Sequence, residues 1–184
     1  FSEGLAPAKI KGRYGYINSD GEWAIEPIFY SAGEFSEGLA PVRIKSNWGY
    51  IGYDGNFLIE GKFKRCFPFV NGLAMVYIKK GYGLINTSGD IIVKANKDKI
   101  LPPDENNMRI ITKGKKQRVV DENGKFITKK HRKVYLAGDT CYGGQKGKKH
   151  ILYNSNGKII GKFESLNPMK IGSNLILTNY KLKY

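Results

Sequence analysis

Apolar and polar positions alternate along this chain in a pattern that returns. Ala6, Ala8 and Ile10, then Ala40, Val42 and Ile44, then Ala74, Val76 and Ile78 are interleaved with residues that include Lys9, Arg43 and Lys79. A period of two sends the first set to a buried face of a strand and the basic set to water. Two further apolar runs follow each such strand: YGYI, WGYI and YGLI before a polar loop, and EWAI, NFLI and DIIV after it. Short runs rich in β-branched and aromatic residues, bounded by turn residues, predict paired antiparallel strands. No segment carries a long apolar stripe at helical spacing, so few or no helices are expected.

The polar loops set the period. Gly21, Gly55, Gly89, Gly124 and Gly157 are spaced by 34, 34, 35 and 33 residues and close the runs NSDG, GYDG, NTSG, DENG and NSNG. Glycine accepts the positive φ of a hairpin loop, and Asn or Asp bonds its own backbone there. Strand-like runs flank the last two glycines as well, QRVV and KFIT, then HILY and KIIG. The prediction is an all-β tandem array of about five three-stranded antiparallel repeats, near 1–34, 35–68, 69–103, 104–138 and 139–168. The alternating stretch 174–184 reads as a terminal strand. Residues 1–184 then form a single repeat domain in which each incomplete unit buries its apolar face on the next. Both an open, spiral solenoid and a small propeller-like ring, closed by the terminal strand against residues 1–10, satisfy this pattern. Propeller repeats run to about 40–45 residues, so the shorter unit favours the open array. Residues 94–107, KANKDKILPPDENN, mark a break between three close copies and two drifted ones.

The run FSEGLAPVRI, then WGYI, a DG turn and an apolar strand resembles the bacterial WG repeat family, which occurs as tandem arrays. Trp48 and Gly49 carry the signature, and Tyr14–Gly15 and Tyr82–Gly83 hold the same positions with tyrosine. Gln117–Arg118 and His150–Ile151 stand there in the last two copies, so the resemblance is specific over 1–93 and weak over 104–163. It implies a β-rich array with a binding or scaffold role, and it transfers no catalytic residue. A strand glycine costs about 0.5–1 kcal/mol relative to alanine, so a neighbouring ring or backbone needs the space of the missing Cβ. An aromatic from an adjacent strand is expected over Gly15, Gly49 and Gly83, with Trp48 a core residue; an aromatic groove for carbohydrate is the alternative.

Charge changes the picture. The formal net charge is +15, and the excess of Lys and Arg over Asp and Glu climbs along the five units from −2 through +2 and +3 to +6 and +6. Much of it lies in the runs 113–118, 129–133 and 145–149. The candidate polyanion contacts are Lys113, Lys115, Lys116, Arg118, Lys129, Lys130, Arg132 and Lys133. Such a basic half attracts phosphate, nucleic acid or anionic surface polymers. A lysine-rich, solvated face that discourages edge aggregation is the plainer reading.

Enzyme readings fail. GGQKGKK lacks the Walker spacing and the Ser or Thr after Lys, and no nucleophile elbow or acid–base pair can be assembled. Asp20, Asp54, Asp90 and Asp121 sit in turns. Cys66, Cys141, His131 and His150 are too few and too scattered for a disulfide framework or zinc site, so buried or idle thiols are expected. No cofactor and no metal is implied, and no apolar run approaches a membrane span. A chain that opens on Phe1 at a repeat boundary suggests a trimmed or mature fragment. The expected function is a non-catalytic module binding a protein or surface polymer. Nucleic-acid or polyanion binding through the basic half, and carbohydrate binding through the aromatics, are the alternatives.

Overall fold

The computed structural model describes residues 1–79, 81–96, 99–104, 107–138, 141–171 and 174–182, and of these the backbone alone for Ala95, Asn96, Gly138 and from Ser165 onward. All described strands pair antiparallel, and no helix occurs among the described residues. The first sheet runs β1 (Ala6–Ile10), β2 (Arg13–Ile17), β3 (Trp23–Phe29). The second runs β4 (Ser31–Ala32), β5 (Ala40–Ile44), β6 (Asn47–Ile51), β7 (Phe57–Phe63). The third runs β8 (Arg65–Val70), β9 (Leu73–Ile78), β10 (Gly81–Asn86), β11 (Ile91–Asn96). The fourth is β12 (Lys99–Ile100), β13 (Arg109–Lys113), β14 (Lys116–Val120). The fifth is β15 (Lys133–Gly138), β16 (Cys141–Lys146), β17 (Lys149–Asn154), β18 (Ile159–Ile171), β19 (Asn174–Leu182).

The tandem antiparallel repeat is thus present, with an added strand in front of all but the first. β4 and β8 continue the last strand of the preceding sheet through one residue. The backbone N–H of Tyr30 donates to the Arg43 carbonyl (2.8 Å) and that of Lys64 to the Tyr77 carbonyl (2.7 Å), so the chain changes sheets without a loop. No turn residue marks this crossing, which is why the sequence pattern hides it. The chain forms two compact units, Phe1–Lys97 and Asp98–Tyr184, and the boundary falls within the proline-bearing break at 94–107. The terminal strand is present over its described part, 174–182, paired with β18.

Each loop glycine has a φ between +78° and +83°. Each donates its N–H to the carbonyl three residues earlier, at Asn18, Gly52, Asn86, Asp121 and Asn154. The drifted copies therefore keep the turn after losing the signature. A second turn went unread in the sequence. Glu3–Gly4, Glu37–Gly38 and Asn71–Gly72 all have positive φ at both residues, the two-residue hairpin turn that matches strand twist. Asn71–Gly72 is its plainest sequence signal.

Cores form between successive sheets within each unit. Tyr16, Phe29, Phe35, Val42 and Ile51 join the first two, and Tyr50, Phe63, Phe69, Val76 and Ile85 the next two. Val119, Ile127, Val134 and Tyr142 do the same in the second unit. The expected alternation is not kept at the strand starts, where Ala40, Pro41 and Val42 are all buried, and Ile44 is 37% and Ile10 47% exposed because these strands run out of the sheet stack at their ends.

At Gly15 backbone takes the space where an aromatic is expected, and at Gly49 backbone shares it with the ring of Phe57 from the adjacent strand. Tyr14 opposes Phe29 while Tyr16 opposes Ile25, and Trp48 opposes Phe63 while Tyr50 opposes Ile59, so three bulged residues face each glycine. A Cβ on Gly49 would meet the Ile59 carbonyl oxygen at 2.5 Å and the Gly61 nitrogen at 2.9 Å; on Gly15 it would strike the Ile25 carbonyl. Backbone fills the space, with the Phe57 ring beside it at Gly49. The register jumps at the same place opposite Gly83. Where Arg118 replaces the glycine, the third strand is reduced to two isolated bridges, Val120–Phe126 and Gln117–His131. Rings do sit against glycines in the fifth sheet, Tyr135 over Gly143 and His131 over Gly144.

Candidate functional site

The signature residues staple one repeat to the next. Ser2 Oγ donates to the Phe35 carbonyl and Ser36 Oγ to the Phe69 carbonyl, each at 2.7 Å. Tyr16 and Tyr50 donate their hydroxyls to the Gly33 and Phe67 carbonyls. Glu3 accepts from the backbone N–H groups of Glu37 (2.8 Å) and Gly38 (3.1 Å), and Glu37 accepts from Gly72 (2.8 Å). The Tyr53 hydroxyl also donates to Glu3 and, ahead of those N–H bonds, holds its carboxyl below the ordinary value. The Ser and Glu of FSEG are therefore capping residues for the following turn. Trp48 packs beside the core but is only half-buried, as is Tyr14, so the aromatic row is neither a sealed core layer nor an open groove.

The two ends of each sheet differ in charge. In the first unit every acidic residue except Glu26 and Glu60 falls at the end carrying the Glu–Gly and Asp–Gly turns. The hairpin tips between β1 and β2, β5 and β6, and β9 and β10 form the other end, with Lys11 and Lys45 exposed there. The second unit carries its basic runs at the equivalent end. Lys113 and Lys116 face each other across the β13–β14 tip, with Lys115 in the turn. Gln117 and His131 exchange backbone hydrogen bonds of 2.7 and 3.0 Å, which brings 113–118 alongside 129–133. Lys113, Lys115, Lys116, Lys129, Lys130, Arg132 and Lys133 are exposed.

Arg118 is placed differently. Its guanidinium lies 3.5 Å from the centre of the Phe126 ring and its Nε donates to the Thr128 carbonyl (3.2 Å), with burial pulling its pKa down. It is a fastener of the broken third strand. Lys146, Lys148 and Lys149 form a second exposed tip beside the first, which the candidate set omitted although QKGKK repeats the KGKK of 113–116. A cavity of about 200 Å³ opens beside this tip, walled by Lys146, Lys149 and Lys162 over Ile151 and Phe163.

Beneath the basic end lie two buried histidines. His131 Nε2 is 2.8 Å from the Tyr153 hydroxyl, and His150 Nδ1 is 2.7 Å from that of Tyr135. Burial lowers both histidine pKa values, aided at His131 by Lys129 and Lys146, and pushes Tyr135 up to about 12. Cys66 is buried and Cys141 half-buried, both as free thiols; burial raises Cys66 to about 12. Among the described residues no three His, Cys, Asp or Glu gather as a metal site, and no helix is long and apolar enough to cross a membrane.

A family model described as "WG containing repeat" matches residues 14–48, 48–81 and 82–116. No curated protein matches the chain. Among solved structures, "KlHsv2 with loop 6CD replaced by a Gly-Ser linker" is similar at 13% identity and a TM-score of 0.45, covering 88% of this chain and 62% of that one. Kluyveromyces lactis Hsv2 gives 10%, 0.44, 89% and 61%. A structure titled "Crystal structure of the eukaryotic initiation factor" gives 10%, 0.49, 95% and 58%. The chain thus spans less than two thirds of each of these proteins.

Proposed function

This chain belongs to the WG repeat family, and from that membership we propose that it is a non-catalytic β-repeat module, residues 1–184 acting as one binding domain for a protein or surface polymer. The observation that supports a binding role is the fate of its reactive side chains. Ser2, Ser36, Glu3 and Glu37 are spent on backbone groups of the next repeat, Tyr16 and Tyr50 on the backbone that leads into it, and Asn18, Asn86, Asp121 and Asn154 on their own turns. What remains for recognition is outward surface.

A second reading rests on a specific arrangement: the partner is a polyanion, held at the basic end of the second unit by Lys113, Lys115, Lys116, Lys129, Lys130, Arg132 and Lys133. Arg118 adds field there and makes no free contact. Salt separates the two readings, since a contact with several phosphates loses orders of magnitude in affinity between about 50 and 200 mM salt. An apolar protein interface responds little. Simultaneous charge reversal of Lys115, Lys116, Lys129 and Lys130 is expected to abolish retention on heparin at low salt, and reversal of Lys9 and Lys11 to leave it intact. Equal losses from both sets would mean that net charge alone is being read. No retention by the unmodified chain would leave the protein-binding reading in place.

A further inference from the structure

The five repeats place different residues at one shared position, the pair that flanks the hairpin tip. These pairs are Ile10–Arg13, Ile44–Asn47, Ile78–Gly81, Lys113–Lys116 and Lys146–Lys149, directly opposed across their strands. Only the second unit sets lysine against lysine. Like charges directly opposite each other destabilise a sheet. The fold thus carries a repulsion at two successive tips that the first unit avoids with a single cation or none.

The two tips are joined. His131 pairs with Gln117, and the N–H of the next residue, Arg132, donates to the Gln145 carbonyl (2.9 Å). Arg132 therefore sits at the seam of the two tips, next to the residue that pairs with Gln117 and bonded to Gln145, the neighbour of Lys146. The order across the sheet end is Lys113, Lys116, Arg132, Lys146, Lys149, all exposed. Strands spaced at about 4.8 Å make this a row of five cations over about 19 Å, each within a Debye length of the next. Lys149 meets Glu164 at 3.8 Å, at the far end of the row. The other four have no carboxylate at salt-bridge distance among the described residues.

Resting on the polyanion reading above, the geometry points to a track for a linear phosphate polymer, recognised through its backbone charge and without base reading. Lysine ammoniums act on phosphate as point charges and impose no planar geometry. Base recognition in single strands uses aromatic stacking platforms. The row itself carries no aromatic side chain: Arg118 caps one face of the Phe126 ring, His150 is buried, and Phe163 lies half-buried at the floor of the cavity beside Lys146 and Lys149.

The test is the binding of labelled inorganic polyphosphate, and of an oligothymidylate, by the full chain from 50 to 300 mM salt. Five neutralised phosphates give a log–log salt slope of about 3–4, using the single-strand coefficient. The paired variants Lys113→Glu/Lys116→Glu and Lys146→Glu/Lys149→Glu should each lower that slope by about 1.4 or more and weaken binding at least about tenfold. Lys125→Glu/Lys158→Glu changes net charge equally at the opposite end and should shift affinity less than about twofold. The single variants Lys113→Glu and Lys146→Glu turn a like pair into an opposite pair, so they should melt no lower than the unmodified chain while binding polyphosphate more weakly. Where a double variant misfolds, the Lys→Gln versions carry the same comparison. Equal losses from the row and the control pairs would overturn the row and leave diffuse polyanion binding standing. Binding of oligothymidylate without polyphosphate would overturn the phosphate-only specificity. Failure of the unmodified chain to bind either probe or heparin would remove the row and the polyanion reading together.

Discussion

At the residue scale, Gly49 and Trp48 have exchanged the importance their shared name suggests. The glycine is the stricter of the two, because the bulged backbone of residues 59–61 occupies the space a Cβ would need. Gly49→Ala should therefore lower stability by about 1–3 kcal/mol, the range for overpacking a close-packed site. Chemical denaturation would register this as a lower midpoint at unchanged slope. Trp48 is half-buried at the margin of the core. Trp48→Ala should cost less than the roughly 3–5 kcal/mol of a fully buried ring. A loss of that full size would mean that the indole is sealed by something beyond the contacts described.

At the element scale, the cores between successive sheets are supplemented by a set of side chain-to-backbone bonds with a period near 34 residues. Ser36 Oγ reaches the Phe69 carbonyl while Glu37, the next residue, caps Gly72. Each such bond contributes about 0.5–1.5 kcal/mol, and more is lost when a buried partner is stranded. Ser36→Ala should destabilise the first unit by about 1 kcal/mol, read as a lower melting temperature. Glu3 makes the first unit sensitive to acid. Its carboxyl pKa is lowered, so its contribution is complete above the unfolded value and is lost as pH falls through the folded one.

At the scale of the whole molecule, the drift between the two units is chemical as well as sequential. The second unit has replaced the packed Gly–aromatic signature with Gln117–Arg118 and His150–Ile151, and it buries His131 and His150 under its cations. His131 Nδ1 has no partner, so a charged imidazolium there would carry an unsatisfied N–H as well as a desolvated charge. Below about 6.5, the unperturbed value, the unfolded chain takes up protons that the folded one resists. Stability should therefore fall progressively as pH is lowered from 7 toward 5. Thermal melts across that range would detect it, and His131→Gln should flatten the slope. An unchanged slope in that variant would assign the acid sensitivity elsewhere.

The linear sequence determined the features that depend on neighbours a few residues apart. Period-two alternation, the five loop glycines and the basic runs were all legible, because a strand face, a positive φ and a charge are local properties. Tertiary structure alone decided whatever rests on contacts across a sheet or between repeats. That the strand glycine faces backbone, that Ser and Glu of FSEG cap the next turn, and that Arg132 sits at the seam of two lysine tips all depend on register. Register is fixed by packing between strands distant in the chain, and no local pattern encodes a distance across them.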